Sequence, residues 1–125
     1  MMELCWVTLP VKNLEESLDF YQGILGLPVD SRLSGDGMEM AMLGDNEQPK
    51  IELISMAHEK DKVRGYDISI GLAVKSLDRT MELLKEKGIA IVSGPVSPLP
   101  HISFLFIHDP DGYTVQLVEM KKLPA

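Results

Sequence analysis

The sequence predicts an α+β fold made of one unit written twice, each copy a strand, a helix and three further strands in the order βαβββ. Three observations carry that expectation. A strand-like segment followed by a capped amphipathic helix occurs at residues 4–25 and recurs at residues 68–87, offset by roughly 63 positions, the kind of internal repeat that sets the architecture. Each copy closes on an apolar strand with a polar residue at its centre, Glu52 in Ile51-Glu52-Leu53 and Gln116 in Val115-Gln116-Leu117. A single unit of this size leaves one apolar sheet face uncovered, so two copies are expected to pack side by side into a larger curved sheet.

Residues 4–11 alternate as a strand, with Leu4, Trp6 and Thr8 on one face and Cys5, Val7, Leu9 and Val11 on the other. Asn13 is an N-cap with Glu16 three residues on, and Leu14, Leu18, Tyr21 and Leu25 form one side of a helix that Gly26 ends and Pro28 blocks. Two short strands follow at residues 29–33 and 38–43, joined through Ser34-Gly35-Asp36-Gly37, and a polar loop leads into the fourth strand at 50–56. Residues 58–65 are charged and read as a solvated linker. The pattern then restarts at 68–74, where Ile68, Ile70, Leu72 and Val74 oppose Ser69, Gly71 and Ala73. Ser76 caps a helix through Lys87, with Leu77, Met81 and Leu84 as its stripe and Gly88 as its stop. The next strand is expected at 89–92, then a connection through Pro95, Pro98 and Pro100. Strands at 102–107 and 113–118 close the chain around Asp109-Pro110-Asp111-Gly112, whose residues suit a type I turn. The two units therefore span about 3–57 and 66–121 of one domain.

Net charge is −7, from 12 Lys and Arg against 19 Asp and Glu. An acidic surface without a basic stripe argues against nucleic acid and anionic membranes as partners and is neutral or favourable toward cationic small molecules. No apolar run approaches the roughly 18 residues of a membrane span. Residues 1–6 lack the basic and apolar regions of a signal peptide, so a cytoplasmic location is expected. Cys5 is the sole cysteine, cannot form an internal disulfide, and is expected as a small buried hydrophobe.

Three segments resemble the vicinal oxygen chelate superfamily of glyoxalase I, bleomycin-resistance proteins and extradiol dioxygenases: residues 7–14 with Ser17, Phe20 and Tyr21; Ile51-Glu52-Leu53; and Asp109-Pro110-Asp111-Gly112-Tyr113 with Gln116-Leu117. The resemblance implies two βαβββ modules forming a cupped eight-stranded mixed sheet, with a ligand in the cup, in a homodimer. Glyoxalase-type members bind a divalent metal through His or Gln on the first strand, Glu on the fourth, His on the fifth and Glu on the eighth. Here those positions are Trp6, Glu52, Ser69 and Gln116, and Glu52 alone is retained. Trp cannot ligate, Ser is a poor neutral ligand and Gln offers one weak carbonyl oxygen, so no cofactor is expected.

The resulting expectation is a small-molecule-binding protein similar to the bleomycin-resistance members, with a degraded metal site and a pocket of Trp6, Thr8, Glu52, Ser69, Gly71 and Gln116 for an aromatic or cationic compound. Trp6 either stacks on a ligand or fills the space of the missing metal, and Glu52 either faces the ligand or pairs with Gln116. The alternative is a metal-dependent lactoylglutathione lyase-like enzyme using Ni, Zn or Co, in which Glu52 serves as ligand and catalytic base. His101 and His108 lie on or beside the seventh strand at an odd spacing, on opposite faces; a relocated metal site would use His101 with Glu52. Met38, Met40 and Met42 form a period-two stripe, suited to core filling or to an adaptable pocket.

Overall fold

The computed structural model describes residues 1–45, 47–59, 65 and 68–121. The chain divides into two units, Met1–Arg64 and Gly65–Ala125. In the first, β1 (Trp6–Pro10) leads to α1 (Leu14–Leu18), then to β2 (Val29–Gly35), β3 (Met38–Leu43) and β4 (Lys50–Met56). In the second, β5 (Ser69–Ala73) leads to α2 (Leu77–Glu86), β6 (Ser93–Leu99), β7 (Ile102–His108) and β8 (Thr114–Met120). The α+β class and the repeated βαβββ order are present, and the eight strands lie in two four-stranded sheets, one in each unit. Their orders are β1-β4-β3-β2 and β5-β8-β7-β6, so the same arrangement occurs twice. Each unit's first strand pairs in parallel with its last, and the other pairings are antiparallel. Residues 60–64 of the charged linker fall outside the described residues.

The repeat extends to local chemistry. Asn13 (φ −141°, ψ 112°) accepts a hydrogen bond from the Glu16 amide, and Ser76 (φ −142°, ψ 115°) accepts one from the Arg79 amide. Both are extended N-caps satisfying an amide that the first helical turn leaves unpaired. Gly26 and Gly88 both take positive φ, 78° and 74°, where the helical segments end. The Val11 amide donates to the Ile54 carbonyl and the Val74 amide to that of Val118, each at 2.8 Å.

Four expectations need correction. The first helix is α-helical only to Leu18, and Asp19–Ile24 continues as a wider π-helical turn. Phe20 and Tyr21 on this turn are both buried, with rings edge to face at 5.0 Å. The hairpin after β2 is tighter than expected: Gly35 pairs with Met38, and Asp36 and Gly37 both take positive φ, the geometry that Asp-Gly favours in two-residue loops. The sixth strand is Ser93–Leu99 rather than 89–92. Prolines 95 and 98 carry no amide hydrogen, and the ladder with β7 breaks register on either side of Val96, which an edge strand tolerates. Of residues 89–92, Ile89 instead closes the helix, its amide donating to the Leu84 carbonyl, and Val92 begins the approach to β7, its amide donating to the Phe106 carbonyl. Cys5 is exposed rather than buried, because the covered part of the first strand begins only at Leu9.

One face of each sheet carries the core. In the first unit, Leu9, Ala41, Leu43 and Leu53 are buried on the side where α1 packs on β3 and β4, together with Leu14, Leu18 and Tyr21. In the second, Leu105, Ile107, Val115 and Leu117 are buried, with Leu77 and Leu84 of α2. The closing turn of the second unit depends on Asp109, which is 6% exposed. Its Oδ1 accepts from the amides of Asp111 and Tyr113 at 2.9 and 2.8 Å, while the Gly112 amide donates to its carbonyl. Asp109→Ala is expected to lower unfolding free energy by roughly 1–3 kcal/mol, since two amides lose their acceptor. Asp109→Asn keeps an acceptor and loses less; equal losses in urea titrations would assign the effect to charge instead. Asn13→Ala and Ser76→Ala are each expected to cost about 1 kcal/mol in the same assay.

Candidate functional site

The face of the first sheet opposite α1 is built by strand register. Thr8 stands beside Glu52 across the parallel β1–β4 pair, and Met42 beside Glu52 across the antiparallel β3–β4 pair. Period two then sets Trp6, Pro10, Lys50, Ile54, Met38, Met40 and Met56 on the same side. Trp6 is 52% exposed, and Glu52 and the three methionines of β3 are half-buried. This face is therefore largely apolar with one carboxylate at its centre.

That carboxylate is held in place. The Thr8 hydroxyl donates to Glu52 Oε1 at 2.8 Å. Lys50, two residues from Glu52 on the same face, turns its ammonium to the carbonyls of Asp45 and Gln48 at 2.7 and 3.4 Å. Arg32 pairs with Glu15 at 2.6 Å. Among the described residues no ion pair reaches Glu52.

The corresponding face of the second sheet holds Ser69, Gly71 and Gln116. Gly71 stands beside Gln116 across the parallel β5–β8 pair, and Phe106 beside it across β7–β8. Phe104 shares the face, its ring 5.6 Å from that of Phe106 and nearly perpendicular to it. His108 pairs with Thr114, which pairs with Ser69, so this exposed histidine lies on the Gln116 side. His101 lies in the turn before β7, where its carbonyl accepts from the Lys121 amide. The structure thus brings Trp6, Thr8 and Glu52 together in one unit and Ser69, Gly71 and Gln116 together in the other. Of the methionine stripe, expected as core filling or an adaptable pocket, the structure sets Met42 beside Glu52; residue-type reasoning passed over Phe104 and Phe106 as neighbours of Gln116. Counting two residues at a time from Glu52 and Gln116 through the antiparallel register would have found them.

Residues 4–117 match the Glyoxalase/Bleomycin resistance protein/Dioxygenase superfamily. The chain belongs to that superfamily. A lactoylglutathione lyase of Neisseria meningitidis serogroup A is 30% identical over 129 aligned residues, covering 96% of this chain and 92% of that one. Among solved structures, the trypanothione-dependent glyoxalase I of Leishmania major superposes with a TM-score of 0.82 at 19% identity, over 95% of this chain and 87% of that one. An antibiotic-binding protein from a Streptomyces species superposes with a TM-score of 0.75 at 20% identity, over 97% and 98% of the two chains. At these identities the two structural likenesses establish the fold.

Within the superfamily, the four positions that the resemblance assigns to a divalent metal do not fit one here. An indole has no lone pair to give and Ser69 and Gln116 offer neutral oxygens, which leaves Glu52 as the one charged donor of the four. Among the described residues no three His, Cys, Asp or Glu side chains are grouped to hold a metal ion. Among the same residues no helix is long and apolar enough to cross a membrane. Trp6 is the single tryptophan of the chain, so its exposure is directly measurable. Its emission is expected to lie to the red of a buried indole and to be quenched by acrylamide. A blue-shifted, quencher-resistant signal would show that the ring is covered.

Proposed function

We propose that this chain binds a small organic ligand on the sheet face of Trp6, Thr8 and Glu52, without a resident metal. One observation carries the reading: the Glu52 carboxylate stands oriented by Thr8 among Trp6, Met42 and Ile54, with no cation paired to it among the described residues. A carboxylate in that setting favours an organic cation, and a half-exposed indole beside it favours an aromatic or cationic group, worth about 0.5–2 kcal/mol where the ring faces the charge. Methionines adapt to ligand shapes that a branched aliphatic lining would reject. Ser69, Gly71 and Gln116 are proposed as pocket residues in their own right, on the equivalent face of the second unit's sheet. The antibiotic-binding relative from Streptomyces lends its kind of ligand to this reading. A homodimer and a cytoplasmic setting go with it.

A second reading is favoured by a specific observation, the 30% identity to a protein named lactoylglutathione lyase. In that reading Glu52 acts as metal ligand and base toward a divalent Ni, Zn or Co ion. The donor set argues against it, since Gln116 cannot accept a proton as a carboxylate does.

The deciving measurement between the two is a titration of chelator-treated protein with Ni²⁺, Co²⁺ and Zn²⁺ while Trp6 fluorescence is followed. A flat response is expected, together with no turnover of methylglyoxal and glutathione in the presence of these ions. A saturable change that disappears in Glu52→Ala, with turnover that Glu52→Gln abolishes, would replace the binding reading by the enzymatic one. In a screen of aromatic amines on the same signal, a saturable change is expected, weakened about tenfold in Glu52→Gln for the loss of one charged hydrogen bond.

A further inference from the structure

We infer that Thr8 is a positioning residue for Glu52: its hydroxyl occupies one carboxylate oxygen and leaves the other for a ligand cation that donates an N–H hydrogen bond. The inference rests on the ligand-binding role proposed for this face and adds the chemistry that the face selects. A threonine hydroxyl has one proton to give, and an ionised carboxylate is acceptor-only, so the 2.8 Å contact runs from Thr8 to Glu52 Oε1. The donor is stiff at χ1 because it is β-branched, and its backbone is in direct register with Glu52. The carboxylate is thereby pinned from one side, and Oε2 has no hydrogen-bond partner among the described residues.

Two basic side chains near this sheet are engaged elsewhere, Lys50 with the carbonyls of Asp45 and Gln48 and Arg32 with Glu15. The remaining neighbours on the face, Met42 and Ile54, donate nothing, and Trp6 has only its indole N–H. An acceptor oxygen of fixed orientation amid aromatic and thioether surface suits an ammonium or amidinium that has an N–H and an apolar body.

The second unit shows the same position without the device. Gly71 stands where Thr8 stands, and Gln116 where Glu52 stands. A Cβ at Gly71 would meet Gln116 Oε1 at 3.7 Å, an ordinary contact, so packing does not forbid a side chain there. The threonine occurs where the charge is, and the neutral amide goes without one. This pairing of a hydroxyl donor with the charged copy of the position is what the positioning role accounts for.

The test uses naphthylmethylammonium and its trimethylated counterpart, which share charge and ring but differ in N–H donors, measured by isothermal titration on the full chain. The ammonium is expected to bind about tenfold more tightly than the trimethylated cation, the ratio that one directed charged hydrogen bond supplies. Thr8→Val should erase most of that preference, Thr8→Ser should restore it, and Glu52→Gln should remove it together with most cation binding. Equal affinities for the two cations in the unsubstituted protein would overturn the inference. So would an undiminished preference in Thr8→Val. Circular dichroism confirms that each variant is folded, and should Thr8→Val fail to fold, the Thr8→Ala and Thr8→Ser pair makes the same comparison. Neutral naphthylmethanol separates the two levels of the argument. If it binds while neither cation does, the ligand-binding reading stands and the positioning role falls; if none of the three binds, both fall.

Discussion

Each unit is governed by one topological constraint, the parallel pairing of its first strand with its last. Parallel neighbours cannot be joined by a tight hairpin, so the chain must leave the sheet and return. In the first unit the return begins through α1, which covers the face where Leu9, Ala41, Leu43 and Leu53 are buried. In the second it begins through α2, on the side of Leu105, Ile107, Val115 and Leu117. With one helix per four strands, a unit covers one face of its own sheet and leaves the other to carry chemistry. Glu52 and Gln116 occupy the same place in this scheme, at the middle of the strand that lies between the parallel and antiparallel partners.

Duplication then gives two copies that have diverged in charge. The first copy pairs Thr8 with Glu52, and the second pairs Gly71 with Gln116. Three residues further along each last strand the copies differ again. Ser55 donates to the Lys12 carbonyl at 3.2 Å, whereas Glu119 accepts from the Leu77 amide at 2.6 Å. Both contacts tie the last strand to the junction between first strand and helix, by opposite hydrogen-bond polarity. The scaffold is conserved between the copies by geometry, and the residues supported on it are free to specialise.

Much of this was legible because it depends on local chemistry. Asn13 and Ser76 announce helix starts through side-chain oxygens, Gly26 and Gly88 announce stops through positive φ, and Asp109-Pro110-Asp111-Gly112 announces its turn. Residues 50–56 alternate cleanly and are β4 to the residue. The misreadings arose where tertiary context decides. Ser93–Leu99 has two prolines and every residue exposed, so nothing in its period marks it as a strand; pairing with β7 makes it one. The widening of the first helix into a π-helical turn at Asp19–Ile24, where Phe20 and Tyr21 are buried, has no mark in the apolar period of the sequence. The candidate site was legible in its polar members, whose residue types stand out in apolar strands. Its apolar members were ambiguous or unnoticed: the methionine stripe could serve a core or a pocket, and Phe104 and Phe106 did not stand out, because such side chains on a strand look the same whether they face a core or a ligand.

The irregular edge of the second sheet has a further consequence. A strand at a sheet margin offers its unpaired amides and carbonyls as a template on which another chain can polymerise. Ser93–Leu99 lies at such a margin, with Val96 and Leu99 exposed and therefore adhesive. Its prolines delete donors from the row, and its broken register twists what remains out of line. The feature that hid this strand from sequence reading thus protects the protein from fibrous self-association, and a regular alternating strand in its place would be easier to recognise and more prone to aggregate.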